Sequence, residues 1–290
     1  MTSSDEMPDV PRREPRYEDQ FTAFVDFLGF REVSRSEDDG RRLKILELLR
    51  SVAALRAEFD LENSPREGGS AQLRITPSVS TFSDHIVVSW PLAALGGGAG
   101  NPGDLDDSHI SLLAVNLMHL LSSIAAAALR LGLLVRGGAT IGKLYHSQGV
   151  VFGPALVEAF ELESQTAIYP RIVVPHRILD LPQWGRMLKP DLLVGRDGLL
   201  HFDYFRMMLL VAGSTGPTYG AEVNGWFNEI VPVVSRNLET LHKAGKLKEF
   251  AKWSWFANEF RSGLERTNPR VLQMGGVSID ATNSWGLAAR

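Results

Sequence analysis

Gln20 to Phe30 reads QFTAFVDFLGF. Phe and Val suit a pleated, well-packed surface, so the segment reads as a central β-strand ending at Gly29. A single acid, Asp26, stands in its middle. An isolated carboxylate is too costly to bury, so Asp26 must be paired, hydrogen-bonded or bound to a cation.

Working outward, apolar residues recur at helical spacing from Glu37 to Phe59 (Leu43, Leu46, Leu49, Leu55), with Asp38 and Asp39 placed to satisfy first-turn amides. Gln72 to Pro91 (QLRITPSVSTFSDHIVVSWP) reads as two strands joined by a tight turn at Ser83 and Asp84. A Gly/Pro/Asp linker follows from Gly96 to Asp107. A second long helix fills Ser108 to Leu131. Leu133 to Gly153 (LLVRGGATIGKLYHSQGVVFG) reads as a Gly-rich strand pair, and Pro154 to Gln165 as a helix with Pro near its start. A strand from Tyr169 to Val174, a short helix, and a hairpin near Leu192 to Phe205 turning at Asp197 and Gly198 complete the series. Strands interrupted by helices, with antiparallel hairpins among them, predict an α/β (α+β) sandwich: a split βαβ sheet with helices on one face. Glu222 to Leu264 is helical by pattern and Trp-rich, a C-terminal helical appendage. The expected organisation is a flexible N-terminal arm (1–19), one domain over 20–211, the appendage over 220–266 and a tail over 267–290.

The 290 residues, 44% of them hydrophobic, suffice for a full core. Cysteine is absent, which excludes disulfides and thiolate chemistry and fits a cytoplasmic protein. Met1 to Asp19 has no apolar core of the signal-peptide kind. Ile110 to Val135 is the most apolar run, but Asn116, His119, Ser122, Ser123 and Arg130 interrupt it, so it reads as a buried helix and no membrane partner is expected. A net charge of −4 offers no general attraction to DNA or RNA. The histidines lack zinc-ligand spacing, and there is no P-loop or nucleophile elbow.

What remains is acid chemistry. Asp26 near the end of one strand and Asp84 at the turn of a hairpin would bring two carboxylates to one sheet edge. Hard oxygen ligands there select Mg²⁺ or Mn²⁺, and two such ions serve phosphoryl or nucleotidyl transfer. Arg136 is placed either to reach a phosphate or to pair with an acid. Tyr17, ahead of the strand, is placed either to stack on a base or to dock on the protomer. Arg171, in the phrase YPRI, reads as an interface residue.

The phrases FVDFLGF (Phe24 to Phe30), Ser83-Asp84, VRGGATIG (Val135 to Gly142) and GPALVEAFELE (Gly153 to Glu163) together resemble the class III nucleotide cyclases, in order and spacing, from about Gln20 to about Phe205. The resemblance implies a homodimer with its sites at the interface. It gives Asp26 and Asp84 the role of catalytic metal ligands for two Mn²⁺ or Mg²⁺ ions, with the backbone carbonyl of Phe27 as a further ligand. Ser80 and Val150 stand where purine-acting members place base readers, and Val157 and Glu161 where members place a transition-state Asn and Arg.

With GPALVEAFELES and AIYPRIVV added, the chain is similar to the pyrimidine cyclases of the Pycsar anti-phage systems. That resemblance implies a uridylate cyclase converting UTP to 3′,5′-cyclic UMP and pyrophosphate, its product read by a separate effector. Ser80 can donate or accept a hydrogen bond and suits uracil and cytosine alike. A cytidylate cyclase making cyclic CMP, and a catalytically inactive nucleotide-binding relative, are the alternative readings.

Overall fold

Strand β1 (Glu18–Leu28) occupies the middle of the sheet because it is apolar on both faces. It pairs antiparallel with β3 (His85–Pro91) on one side and along its whole length with β4 (Leu134–Ser147) on the other. With β2 (Ser78–Phe82), β6 (Ile172–Val173), β7 (Leu192–Val194) and β8 (Leu200–Phe202), the order is β2-β3-β1-β4-β6-β8-β7, and β5 (Val150–Phe152) pairs onto the far end of β4. β6 lies parallel to β4, and the other strand pairs are antiparallel. This computed structural model describes residues 16–35, 37–62, 77–92, 107–203 and 219–266. The greater part of the expected N-terminal arm, the linker after Gly96, the end of the expected domain at 204–211 and the tail lie outside the described residues.

Alternation along β1 divides its side chains between two layers. Phe21, Ala23, Val25 and Phe27 enter the main core, with buried residues of α2 (Asp39–Glu62), α3 (Asp107–Arg130), α5 (Pro182–Leu188), α6 (Tyr219–Lys243) and α7 (Leu247–Arg266). The long helices thus share one core, as a mixed α/β sandwich requires. In α3, Leu113, Leu117, Leu120, Leu121, Ile124 and Ala128 form a helical stripe that is at most 1% exposed. Leu113–Arg130 is long and apolar enough to cross a bilayer, but two-thirds of it is buried in this core.

The opposite face, bearing Phe24 and Asp26, receives the short helix α4 (Pro154–Glu161), whose Ala159 packs with Phe24 and Val87. Glycine makes this approach possible. A Cβ on Gly138 would stand 2.2 Å from the Ala159 carbonyl oxygen, and one on Gly142 only 3.4 Å from the Ala155 Cβ. Gly138 and Gly142 of the Gly-rich strand therefore serve a helix that rides directly on it. A short helix absent from the sequence expectation, α1 (Phe30–Ser34), follows β1.

The appendage is an antiparallel helix pair, α6 and α7, turning at Gly245 (φ +65°). Ile230, Val234, Leu238 and Leu241 of α6, and Trp253, Phe256 and Phe260 of α7, join the main core. Trp255 stacks on Tyr169 with rings 5.5 Å apart and lies 5.7 Å from the Arg171 guanidinium. Arg171, read as an interface residue, is instead 2% exposed and donates to Asp197 through both terminal nitrogens. A buried guanidinium needs such a partner, which explains its place inside the sheet-to-helix junction.

Candidate metal and nucleotide site

Asp26 is the last residue of β1 paired with β3. Register sets it between His85 on β3 and Arg136 on β4. The β2–β3 turn contains only Ser83 and Asp84, since Phe82 pairs with His85. Ser83 adopts φ +58°, a left-handed conformation that costs a non-glycine residue about 1–2 kcal/mol and is often retained at functional sites. The Phe27 amide donates to the Asp84 carbonyl at 3.1 Å, tying the hairpin tip to the end of β1. In an extended strand the N–H and C=O of one residue point to the same side, so the Phe27 carbonyl also faces the hairpin.

The two acids therefore meet. Candidate ligand atoms of Asp26, Asp84 and His85 all lie within 4.8 Å of one another. Asp26 is 6% exposed, and the Asp84 side chain is partly open. His85 Nδ1 is 3.2 Å from Asp84 Oδ1, and its Nε2 is 3.9 Å from Asp26 Oδ1. Its ring is held against Phe82, with centroids 5.5 Å apart, and against Phe24 at 5.1 Å.

A third carboxylate completes the cluster. α4 continues into a π-helical turn, Leu162–Thr166, that carries Glu163 at 2% exposure. Arg136 Nε lies 2.9 Å from Asp26 Oδ2 and 2.7 Å from Glu163 Oε1. Nε bears a single hydrogen, which it donates to Asp26. Glu163 Oε1 is left with the charge contact but no hydrogen bond. Burial pushes the Glu163 carboxyl above the usual range; Arg136 opposes this and Asp26 reinforces it. Single-turn π segments inside helices are frequent at functional sites.

The donor set fits a divalent cation. Two carboxylates and a backbone carbonyl are hard oxygen ligands suited to Mg²⁺ or Mn²⁺, and the added imidazole tilts the choice toward Mn²⁺. Arg136 sets a positive charge beside Asp26, and the His85 ring stands within 3.9 Å of both acids.

Other expected site residues lie elsewhere. Ser80 shares the α4 side of the sheet but is occupied: its hydroxyl is 2.8 Å from His146 Nε2, while Ser89 Oγ is 2.8 Å from His146 Nδ1. Tyr17 is at the opposite end of β1, about 30 Å from Asp26 along an extended strand. It packs edge-on against Phe152, with ring centroids 5.6 Å apart. Within one protomer it does not meet the metal acids. Val150 on β5 and Val157 on α4 are exposed apolar residues, and Glu161, one turn beyond Val157, is exposed as well.

Sequence reasoning missed His85, Glu163 and His146. A signal existed for Glu163: Ala155, Ala159 and Glu163 form an i, i+4, i+8 stripe, so a buried Ala159 places Glu163 against the sheet. His85 adjoins Asp84, and its register with Asp26 follows once the two-residue turn is accepted. For His146 no sequence pattern was available, because its partners come from strands far away in the chain.

No protein-family model and no curated protein matches this chain. Among solved structures, a bacterial light-regulated adenylyl cyclase is similar at 11% identity with a TM-score of 0.33, over 68% of this chain and 57% of that one. The chain thus spans less than two-thirds of that structure's length, and a likeness of that size stands as an observation alone.

Proposed function

We propose that this chain is a metal-dependent nucleotidyl cyclase that acts as a homodimer and converts UTP to 3′,5′-cyclic UMP and pyrophosphate. The observation that carries the reading is the convergence of Asp26 and Asp84, from a central strand and a separate hairpin, within 4.8 Å at one sheet edge. Asp26, Asp84 and the Phe27 carbonyl would hold the cations, with His85 displaced or recruited as a ligand. Bound Mg²⁺ or Mn²⁺ would supply acidification of the attacking hydroxyl and neutralisation of phosphate charge.

The reaction joins the ribose 3′-oxygen to the α-phosphorus, breaks the bond from that phosphorus to the bridging oxygen of pyrophosphate, and releases the hydroxyl proton. Asp26 and Asp84 would orient the triphosphate by holding its counter-ions. Arg136 aims the Asp26 carboxylate by donating to its Oδ2, and Glu163 holds Arg136 from the other side. The dimer is supported by exposed apolar side chains on the α4 face, Val150, Phe152, Val157 and Phe160, a concentration that marks interfaces. A pyrimidine is supported by the resemblance to pyrimidine cyclases and by the lack of a purine reader at Ser80 and Val150. An anti-phage role, with the cyclic nucleotide acting on a separate effector, rests on that resemblance alone.

A nucleotide-binding protein without turnover is the second reading. It is favoured by Val157 and Glu161, which offer neither the amide nor the guanidinium that the resembled family uses at those positions. Presenting UTP, CTP, ATP and GTP separately with Mn²⁺, and identifying the product, decides among these. Cyclic UMP that disappears in Asp26→Ala is the expected result. Preference for a purine rejects the pyrimidine assignment, and tight binding with no product from any of the four establishes the second reading.

A further inference from the structure

A cleft of about 390 Å³ opens where β1 ends, lined by Leu28, Gly29, Arg31 and Glu32 on one wall and by Glu249 and Lys252 of α7 on the other. Leu28 is two residues beyond Asp26, about 7 Å along the strand, so the cleft lies at the same end of β1 as the metal acids. Lys252 is half-buried and within electrostatic range of Arg136, Asp26 and Glu163. Among the described residues no carboxylate forms an ion pair with it, whereas Glu32 is engaged by Lys246. Burial, with the Arg136 charge next, holds the Lys252 ammonium below its usual range. The ammonium is thus a cation lining the cleft, with carboxylates in range but, among the described residues, none paired to it.

The packing of α7 holds Lys252 in place. α7 is clamped by Trp253 and Phe256 in the core and by Trp255 against Tyr169 and Arg171. A lysine on a rigid helix, beside a cleft with an exposed Arg31 and one further acid, Glu249, suits a compact polyanion. The cations expected at Asp26 and Asp84 would bring such a group there.

We propose that Lys252 binds the pyrophosphate group of the nucleotide, both within the triphosphate and as the released product, so that the C-terminal helix pair is part of the substrate site. This rests on the nucleotidyl-transfer reading and assigns the appendage a ligand within it.

Isothermal titration of the full chain with inorganic pyrophosphate in the presence of Mg²⁺ tests it. Loss of one charged hydrogen bond predicts a roughly ten- to hundredfold weaker affinity in Lys252→Gln. Lys252→Arg should recover most of that affinity, and Mn²⁺ affinity without pyrophosphate should not fall in either variant. Pyrophosphate binding equal to wild type in Lys252→Gln, or none by wild type itself, overturns the proposal. Should Lys252→Gln fail to fold, Lys252→Met with a matched melting profile takes its place under the same criteria. Turnover of a nucleoside triphosphate by wild type, measured alongside, separates the outcomes: turnover with unaltered pyrophosphate binding in the variant refutes Lys252 only, and no turnover refutes the underlying reading.

Discussion

Replacing Arg136 by Met keeps most of the side-chain volume and removes the charge that joins Asp26 to Glu163. Those carboxylates are 8% and 2% exposed, and Arg136 itself is 25% exposed. Removing one partner of a buried ion pair costs about 3–5 kcal/mol because the remaining charge is uncompensated. The nearby Lys252 ammonium offsets part of this, so about 3 kcal/mol is expected at pH 7 in the presence of a chelator.

The pH dependence has a definite sign. Glu163 is already held above its ordinary value by burial, and Arg136 is what opposes that. Without Arg136 its folded value rises further. A carboxyl with a raised folded value binds more protons folded than unfolded between the two values, so stability falls as pH rises through that window. The deficit of Arg136→Met should therefore be largest at pH 7 and shrink toward pH 5. Urea unfolding at both values measures it, and Mn²⁺ at a hundred times its dissociation constant should return about 2.7 kcal/mol by binding only the native state. A variant within about 0.5 kcal/mol of wild type at pH 7, the range of an ordinary surface substitution, refutes the charge cluster as described.

Gly138→Ala should lower stability by about 1–3 kcal/mol or more, since its Cβ meets the Ala159 carbonyl oxygen and Leu162 Cβ rather than a yielding side-chain end. A thermal melt reads the loss, and because α4 carries Glu163 away with it, Mn²⁺ titration should weaken in parallel. Val157→Glu places a charge on the exposed apolar face of α4 and should weaken dimerisation by about tenfold or more without changing the melt of the protomer. Sedimentation that finds wild type monomeric, or the variant equally dimeric, argues against α4 as the contact.

Local pattern carried much of the architecture. Aromatic and β-branched residues over Gln20 to Phe30 produce β1, a helical stripe of Leu and Ala produces α3, and the hairpin turn at Ser83 and Asp84 stands where the chemistry of its residues put it. Those features depend on neighbours a few residues apart, which a sequence displays directly. Asp26 and Asp84 were legible for the same reason, as acids where an apolar strand and a tight turn would not otherwise place them.

Only the tertiary structure decided what surrounds them. The β1–β4 register puts Arg136 opposite Asp26, the glycines of β4 let α4 come close enough to press Glu163 onto Arg136, and the packing of α7 brings Lys252 to the mouth of the cleft. The length of β4 likewise carries His146 over Ser80 and Ser89, and the length of β1 separates Tyr17 from Asp26. Each of these depends on strand register and helix-to-sheet distance between segments far apart in the chain. Such distances follow from how the whole core closes, and no local pattern of residues encodes them.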